Sequence, residues 1–319
     1  MKKTFTDQEL KTLSAEEINR KMIYEDYSLL KSLGGEKLRR EMVPVGKVCR
    51  MVVDYLVKMT GPKKDTPRHA ENAQKKLVRV LSRITPGEYD GFVGNNKNGL
   101  VVGFNHPSLG EIARILTMKI DKMGSRTMLF PVNLPWYEAL CKYYDKIKLL
   151  GIVITPTITP STWNKLGLKE GTNLYNNATR IKHEFREAYT RESHDIVKNG
   201  GVIFVAPSAT RQAKVFKTPA VYRKEEDIIP TMAVLALRLL KDPEMNCDFL
   251  PMGVLPPKRH GRGLNLYKKY RLIPGEMMTA DEIRAKYFNK DGSAPERLEG
   301  FDWDFHKRIA DTLPKEFWY

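Results

Sequence analysis

The sequence has few cysteines, and none of them forms a pair of the kind that binds zinc. Cys49, Cys141 and Cys247 lie far apart in the 319-residue chain. An odd number of widely spaced cysteines argues against a disulfide framework and against a cysteine-based metal site. We therefore expect no metal, and we expect a protein that works in a reducing compartment.

Long apolar runs are also missing. The N-terminus begins with lysines, but no apolar segment of the kind found in secretory signals follows them. The longest apolar runs are well short of the roughly 20 residues that a membrane span needs. The expected location is therefore the cytoplasm, in solution or peripherally on the inner face of a membrane.

What the sequence has in excess is positive charge. Lys and Arg number 54 against 38 Asp and Glu, which gives a net charge of +16, and the 41% of hydrophobic residues is enough for a sizeable core. Such a surface attracts polyanions, which include nucleic acid, anionic lipid headgroups and phosphorylated substrates. Charge alone does not choose among these partners.

The pattern up to about residue 85 is helical. Thr6, with Glu9 three residues later, predicts a capping box at the start of the first helix. That helix is predicted to continue to Gly34-Gly35, a typical helix stop. Two more helical patterns follow, so residues 1–85 are predicted to form a small helical bundle.

From about Gly99 short β-rich runs alternate with amphipathic stretches, an order typical of an α/β fold. We predict a mainly parallel sheet flanked by helices, in a domain of residues 86–319. In such sheets, binding sites lie at the carboxyl ends of the strands. The tail from about Asp291, which carries Trp303 and Trp318, either packs on this domain or touches a membrane.

The stretch VVGFNHPSLGE ends one predicted strand and has two interpretations. Ser108 and Glu111 have the spacing of a capping box, which requires no chemistry. Alternatively, His106 is a general base and Glu111 orients it, so that the free imidazole nitrogen takes a proton from a bound alcohol. No GxSxG motif supplies a nucleophile from the protein itself.

A second polar turn follows the predicted strand VIFV. It contains Ser208, Thr210, Arg211 and Lys214, and cations with hydroxyls at a strand end suit a phosphate group. Alone, Arg211 would be an ordinary surface cation. Together with His106 it indicates a binding site.

These two stretches resemble motifs of the glycerolipid acyltransferase superfamily. NHPSLGE is similar to the first block of that superfamily, and VIFVAPSATR is similar to the third, in a form closest to the soluble plastid-type glycerol-3-phosphate acyltransferases. FLPMGVLPP, residues 249–257, is similar to the fourth block, a strand that contains a proline and lines the acyl side. The sequence departs from the motifs of this superfamily at four places. Glu111 replaces the usual Asp, and residues 155–157 replace the common Arg of the second block. Ser208 stands where many members have Glu, and Ala213 replaces a second Arg.

The resemblance implies an enzyme that moves a fatty acyl group from acyl-CoA or acyl carrier protein to a hydroxyl of glycerol 3-phosphate. His106 would be the base and Glu111 its orienting partner. Arg211, helped by Lys214, Ser208 and Thr210, would hold the acceptor phosphate, and no cofactor would be needed. An anionic membrane surface would be a further partner.

Three alternatives remain open at this point. The acceptor could be lysophosphatidate or another lysolipid instead of glycerol 3-phosphate. The chain could be an inactive relative that only binds anionic lipid. It could also bind nucleic acid through its basic surface, although it lacks the signatures of RNA-binding and zinc modules, so nucleic acid is not the expected partner.

Overall fold

The computed structural model describes residues 2–42, 88–89, 98–105, 126–149, 151–207, 231–255 and 270–315. In these ranges the strands are β1 (Glu88–Tyr89), β2 (Gly99–Phe104), β3 (Met128–Asn133), β4 (Ile152–Thr157), β5 (Val202–Val205), β6 (Cys247–Leu255) and β7 (Arg271–Pro274). The helices are α1 (Asp7–Thr12), α2 (Ala15–Tyr24), α3 (Leu29–Ser32), α4 (Glu36–Glu41), α5 (Leu134–Leu140), α6 (Tyr144–Leu149), α7 (Pro160–Leu166), α8 (Asn173–Lys198), α9 (Thr231–Leu240), α10 (Ala280–Tyr287) and α11 (Phe301–Asp311).

The chain forms two compact units. The first consists of Met1–Ala70 and Leu129–Glu192, and the second of Glu71–Met128 and Ser193–Tyr319. The domain boundary predicted between residues 85 and 86 falls outside the described residues. That boundary therefore stays a prediction.

The second unit contains a mixed sheet in which most neighbours are parallel. Its strands follow the order β1-β7-β6-β2-β5. Strand β2 pairs in parallel with β5 and β6, and β1 pairs in parallel with β7, whereas β6 and β7 are antiparallel. Every residue of β2 and β5 is buried, as expected for strands covered by helices on both faces. The predicted α/β fold with a mainly parallel sheet is confirmed.

The N-terminal helices are present, but the first is shorter than the sequence suggested. Thr6 and Glu9 form the predicted capping box. Ser14 then forms a second capping box with Glu17 and starts α2, and Asp26 has a positive φ of 58°. The stretch predicted as one helix is therefore three short ones, because a new cap and a left-handed residue interrupt it. The other two helices of the predicted bundle lie outside the described residues.

Polar side chains, one buried and one partly exposed, hold these short helices to the rest of the first unit. Glu138 on α5 accepts hydrogen bonds from the Ser28 hydroxyl at 2.8 Å and from the Leu30 amide at 2.6 Å. Arg180 on α8 donates to the carbonyl oxygens of Leu10 and Leu13 at the end of α1. These bonds satisfy backbone groups that a helix end otherwise leaves without partners.

The tail packs on the second unit as far as the structure describes it. Helix α11 contacts both β6 and α9, and its Phe301 ring meets the Phe249 ring of β6 edge to face, with 5.9 Å between the ring centroids. The interpretation in which the tail packs on the α/β domain therefore holds as far as residue 315. Trp318 lies outside the described residues.

Candidate functional site

The carboxyl ends of three parallel strands meet at one edge of the second unit's sheet. Strand β2 lies between β5 and β6, with Gly103 opposite Val205 on one side and Phe104 opposite Met252 on the other. The chain therefore leaves β2 and β5 at neighbouring positions of the same edge. In parallel α/β sheets this edge is the usual place for a binding site.

Asn105 is the first residue after β2, and it ties this strand end to β6. Its side chain is buried. Its Nδ2 donates to the Val254 carbonyl at 3.0 Å, and its Oδ1 accepts from the Val254 amide at 2.6 Å. The side-chain amide thus continues the β-ladder for one more pair of bonds, which fixes the path of the chain at this point. The sequence suggested a site here but gave Asn105 no role.

The described chain stops next to both predicted motifs. Asn105 directly precedes His106 in the sequence, and Pro207 directly precedes Ser208. His106 and Glu111 lie outside the described residues, as do Ser208, Thr210, Arg211 and Lys214. The catalytic and phosphate-binding roles of these six residues, and their mutual distances, therefore stay predictions.

The stretch that is similar to the fourth block, residues 249–257, overlaps β6. It was predicted to be a strand containing a proline, and this is confirmed for Phe249–Leu255, with Pro251 opposite Gly103 of β2. Proline lacks an N–H and is rare inside a sheet. The Pro251 carbonyl still accepts a hydrogen bond from the Gly275 amide at 2.8 Å. That this strand lines the acyl side of a site remains a prediction.

Helix α11 packs closely against strand β2. A Cβ placed on Gly103 would lie 2.3 Å from the Phe305 ring and 3.2 Å from the Met232 side chain. Glycine at this position therefore allows α9 and α11 to approach β2 closely. Asp302, also on α11, accepts hydrogen bonds from the amides of Met232 and Ala233 at 2.8 and 3.1 Å.

On α11, burial shifts the pKa values of Asp302 and His306. Burial raises the pKa of Asp302 to about 6, although the two amides at the start of α9 act in the opposite direction. Burial lowers the pKa of His306 to about 4, so this imidazole is neutral at pH 7. Sequence reasoning missed both residues, although the i, i+4, i+8 series Phe301, Phe305 and Ile309 marks the buried face of their helix.

The described residues contain no cluster of three or more His, Cys, Asp or Glu that could bind a metal ion. Within the same ranges, no helix combines the length and the apolar character that crossing a membrane requires. Cys141 and Cys247 are buried free thiols.

No protein-family model, curated protein or solved structure matches this chain. The resemblance to glycerolipid acyltransferases therefore depends on the short motifs at His106, Arg211 and β6.

Proposed function

We propose that this chain is an O-acyltransferase that moves a fatty acyl group from acyl-CoA or acyl carrier protein to a hydroxyl of glycerol 3-phosphate. The observation that supports it best is that β2 and β5, the strands preceding the two motifs, are parallel neighbours. Two motifs that are about 100 residues apart in the sequence thus follow adjacent strand ends. A base and a phosphate-binding group must come together in this way to act on one acceptor.

In the proposed reaction, His106 takes the proton of the acceptor hydroxyl while the hydroxyl oxygen attacks the thioester carbonyl. Glu111 holds the imidazole in the required tautomer and stabilises the imidazolium. Collapse of the tetrahedral intermediate releases the thiol, which receives the proton from His106. Arg211 and Lys214 bind the acceptor phosphate, and Ser208 and Thr210 add hydroxyl donors.

Asn105 has a supporting part in this proposal. Its two hydrogen bonds to Val254 fix the backbone immediately before His106. A base acts efficiently only when it is held within hydrogen-bond reach of its proton. Asn105 is therefore a positioning residue and does not itself contact the substrate.

The protein would act in the cytoplasm at the inner face of a membrane. The net charge of +16 would attract an anionic acyl carrier and anionic lipid, and each Lys or Arg near such a surface contributes about 1 kcal/mol.

Acyl transfer to a panel of acceptors tests the proposal. Purified protein is incubated with labelled acyl-CoA or acyl carrier protein and with glycerol 3-phosphate or lysophosphatidate, and lipid products are counted. His106→Ala should lower turnover by roughly 10²–10⁴. His183→Ala is the matched control, because His183 is an exposed histidine on α8. Equal rates for His106→Ala and wild type would overturn the proposal.

Two more variants separate the roles of the motif residues. Glu111→Gln can still form a capping box but cannot stabilise an imidazolium, whereas Glu111→Asp keeps the charge. We expect Asp to retain more activity than Gln. Arg211→Ala should raise the KM for the acceptor more than the KM for the thioester, and Arg211→Lys should restore only part of the loss, because lysine lacks the bidentate fork.

A further inference from the structure

The first unit contains a cleft lined mainly by cations. It has a volume of about 370 Å³, and its walls are Lys2, Lys31, Glu36, Arg39 and Arg40. Four basic side chains and one carboxylate thus line it, a formal excess of three positive charges. Its size falls within the range of pockets that hold small ligands, roughly 300–1,000 Å³.

Glu36 organises the two arginines of this cleft. It accepts from Arg39 Nε at 3.0 Å and Nη2 at 2.8 Å, and from Arg40 Nε at 3.3 Å. The hydrogen bond from Arg39 is the main reason that the pKa of Glu36 is lowered to about 2. A guanidinium has five N–H donors, and the pairing with Glu36 uses two of those of Arg39. The arginines are therefore held in place with donors remaining.

The two lysines are held by longer contacts. Lys2 Nζ donates to the Glu138 carbonyl at 3.4 Å and lies 4.0 Å from the Glu138 carboxylate. Lys31 Nζ donates to the Lys2 carbonyl at 3.5 Å. Burial is the main cause of the raised pKa of Glu138, and the nearby Lys2 acts in the opposite direction.

Partial burial distinguishes this cleft from an ordinary solvated surface. The side chains of Lys2 and Arg39 are only 24% and 28% exposed, whereas that of Arg40 is 75% exposed. Neighbouring cations that are partly removed from water are stabilised by an anion that binds among them. The donors required by that anion are already positioned.

We propose that this cleft binds a phosphate group. A phosphate monoester carries up to two negative charges and several acceptor oxygens, which match the excess of cations and the planar forks of Arg39 and Arg40. The phosphate belongs either to a small soluble ester or to a lipid headgroup. The site does not include Arg211, and it does not depend on the proposed acyl transfer.

Calorimetric titration with inorganic phosphate tests the site. We expect Lys31→Gln/Arg40→Gln to weaken binding at least about tenfold, since two direct ligands of the anion are lost. Lys11→Gln/Lys37→Gln is the matched control. It removes the same two charges from exposed residues that do not line the cleft, and it should bind as wild type does. Equal weakening in both double variants would reduce the effect to overall charge and overturn the proposal.

A third variant, Arg211→Gln, distinguishes phosphate binding at this cleft from phosphate binding at the predicted acceptor site. Arg211→Gln should retain phosphate binding at the cleft, even if it loses acyl transfer. Loss of all phosphate binding in Arg211→Gln would assign the anion to that residue and overturn the cleft. Circular dichroism of each variant checks that the fold is intact.

Vesicle sedimentation then identifies the source of the phosphate. Vesicles of phosphatidylcholine with and without phosphatidate are compared, using the same two double variants. A selective loss of binding to phosphatidate vesicles by Lys31→Gln/Arg40→Gln supports a lipid headgroup. A loss of phosphate binding with unchanged vesicle binding supports a soluble ester.

Discussion

Glu138 and Phe249 are both buried, but they hold their surroundings in different ways. Glu138 joins α5 to the N-terminal helices through hydrogen bonds to Ser28 and Leu30. Phe249 makes ring contacts with Phe301 in the second unit, where the strands β2 and β5 are buried along their full length. At these two positions the first unit is held by polar bonds and the second by ring packing, although buried apolar side chains such as Leu29 also hold the N-terminal helices.

The lengths of the elements explain this difference. Helices α1 to α4 have between four and ten residues, and isolated helices shorter than about 12–15 residues are marginal in water. They therefore need caps and bonds from other segments. Strands β2 and β5 gain their stability from burial of apolar side chains, which needs close contact but no specific partner atoms.

The largest effect on the free energy of unfolding is expected when the carboxylate of Glu138 is removed. In Glu138→Ala the Leu30 amide and the Ser28 hydroxyl lose their acceptor inside the first unit. We expect the free energy of unfolding in urea to fall by about 3–5 kcal/mol. Glu170→Ala, at an exposed glutamate, should change it by less than about 0.5 kcal/mol. Similar values for the two variants would show that the polar bonds of Glu138 contribute little.

A smaller loss of stability is expected in the second unit when the pH is lowered. The pKa of His306 is lowered to about 4, below the value of about 6.5 expected in the unfolded chain. The unfolded state therefore binds more protons between these values, and stability is lost as the pH falls from about 6.5 through 4. The stability lost through His306 between pH 6.5 and pH 4 is about 3 kcal/mol.

The measurement for His306 is the difference in unfolding free energy between wild type and His306→Gln, taken from pH 7 to pH 4. Asp302 shifts stability in the opposite direction, because its pKa is raised, but it is present in both chains and cancels. A difference that does not change with pH would contradict a neutral buried His306.

The smallest of the three effects on stability is expected when a methyl group is added at Gly103. In Gly103→Ala the new Cβ would overlap the Phe305 ring, so α11 must shift away from β2. We expect a loss of about 1–3 kcal/mol in urea unfolding. Phe305→Leu in the same chain should recover part of this loss in a double-mutant cycle. Additive losses would mean that the two side chains do not compete for the same space.

The sheet was predictable because its signal is local. The apolar run Val202–Val205 indicates a buried strand without reference to any other segment, and the same is true of β2 and β6. The antiparallel strand β7 and the helices α10 and α11 were not predicted. Strand β7 has only four residues, and its pairing with β6 is not shown by the local pattern. Helix α11 does carry the helical series Phe301, Phe305 and Ile309, but this series was interpreted only as part of the tail.

The contacts that organise the first unit could not be predicted for the same reason. Glu138 and Leu30 are 108 residues apart, and nothing in the sequence pairs them. At the candidate site, the pattern indicated that strands ended near His106 and Arg211, and the ends of β2 and β5 are indeed neighbours. The pattern did not indicate that the Asn105 amide bonds to Val254, 149 residues later.

The central position of β2 also has a consequence for how the chain folds during synthesis. Val101 pairs with Ile203 on one side and with Phe249 on the other, so both neighbours are made long after β2 itself. At roughly 5–20 residues per second, a ribosome needs about 7 to 30 seconds to cover the roughly 150 residues up to β6. During that time at least one edge of the apolar strand β2 stays unpaired, and unpaired strand edges promote aggregation. Nascent chains that end before β6 are therefore the form of this protein that most needs a chaperone.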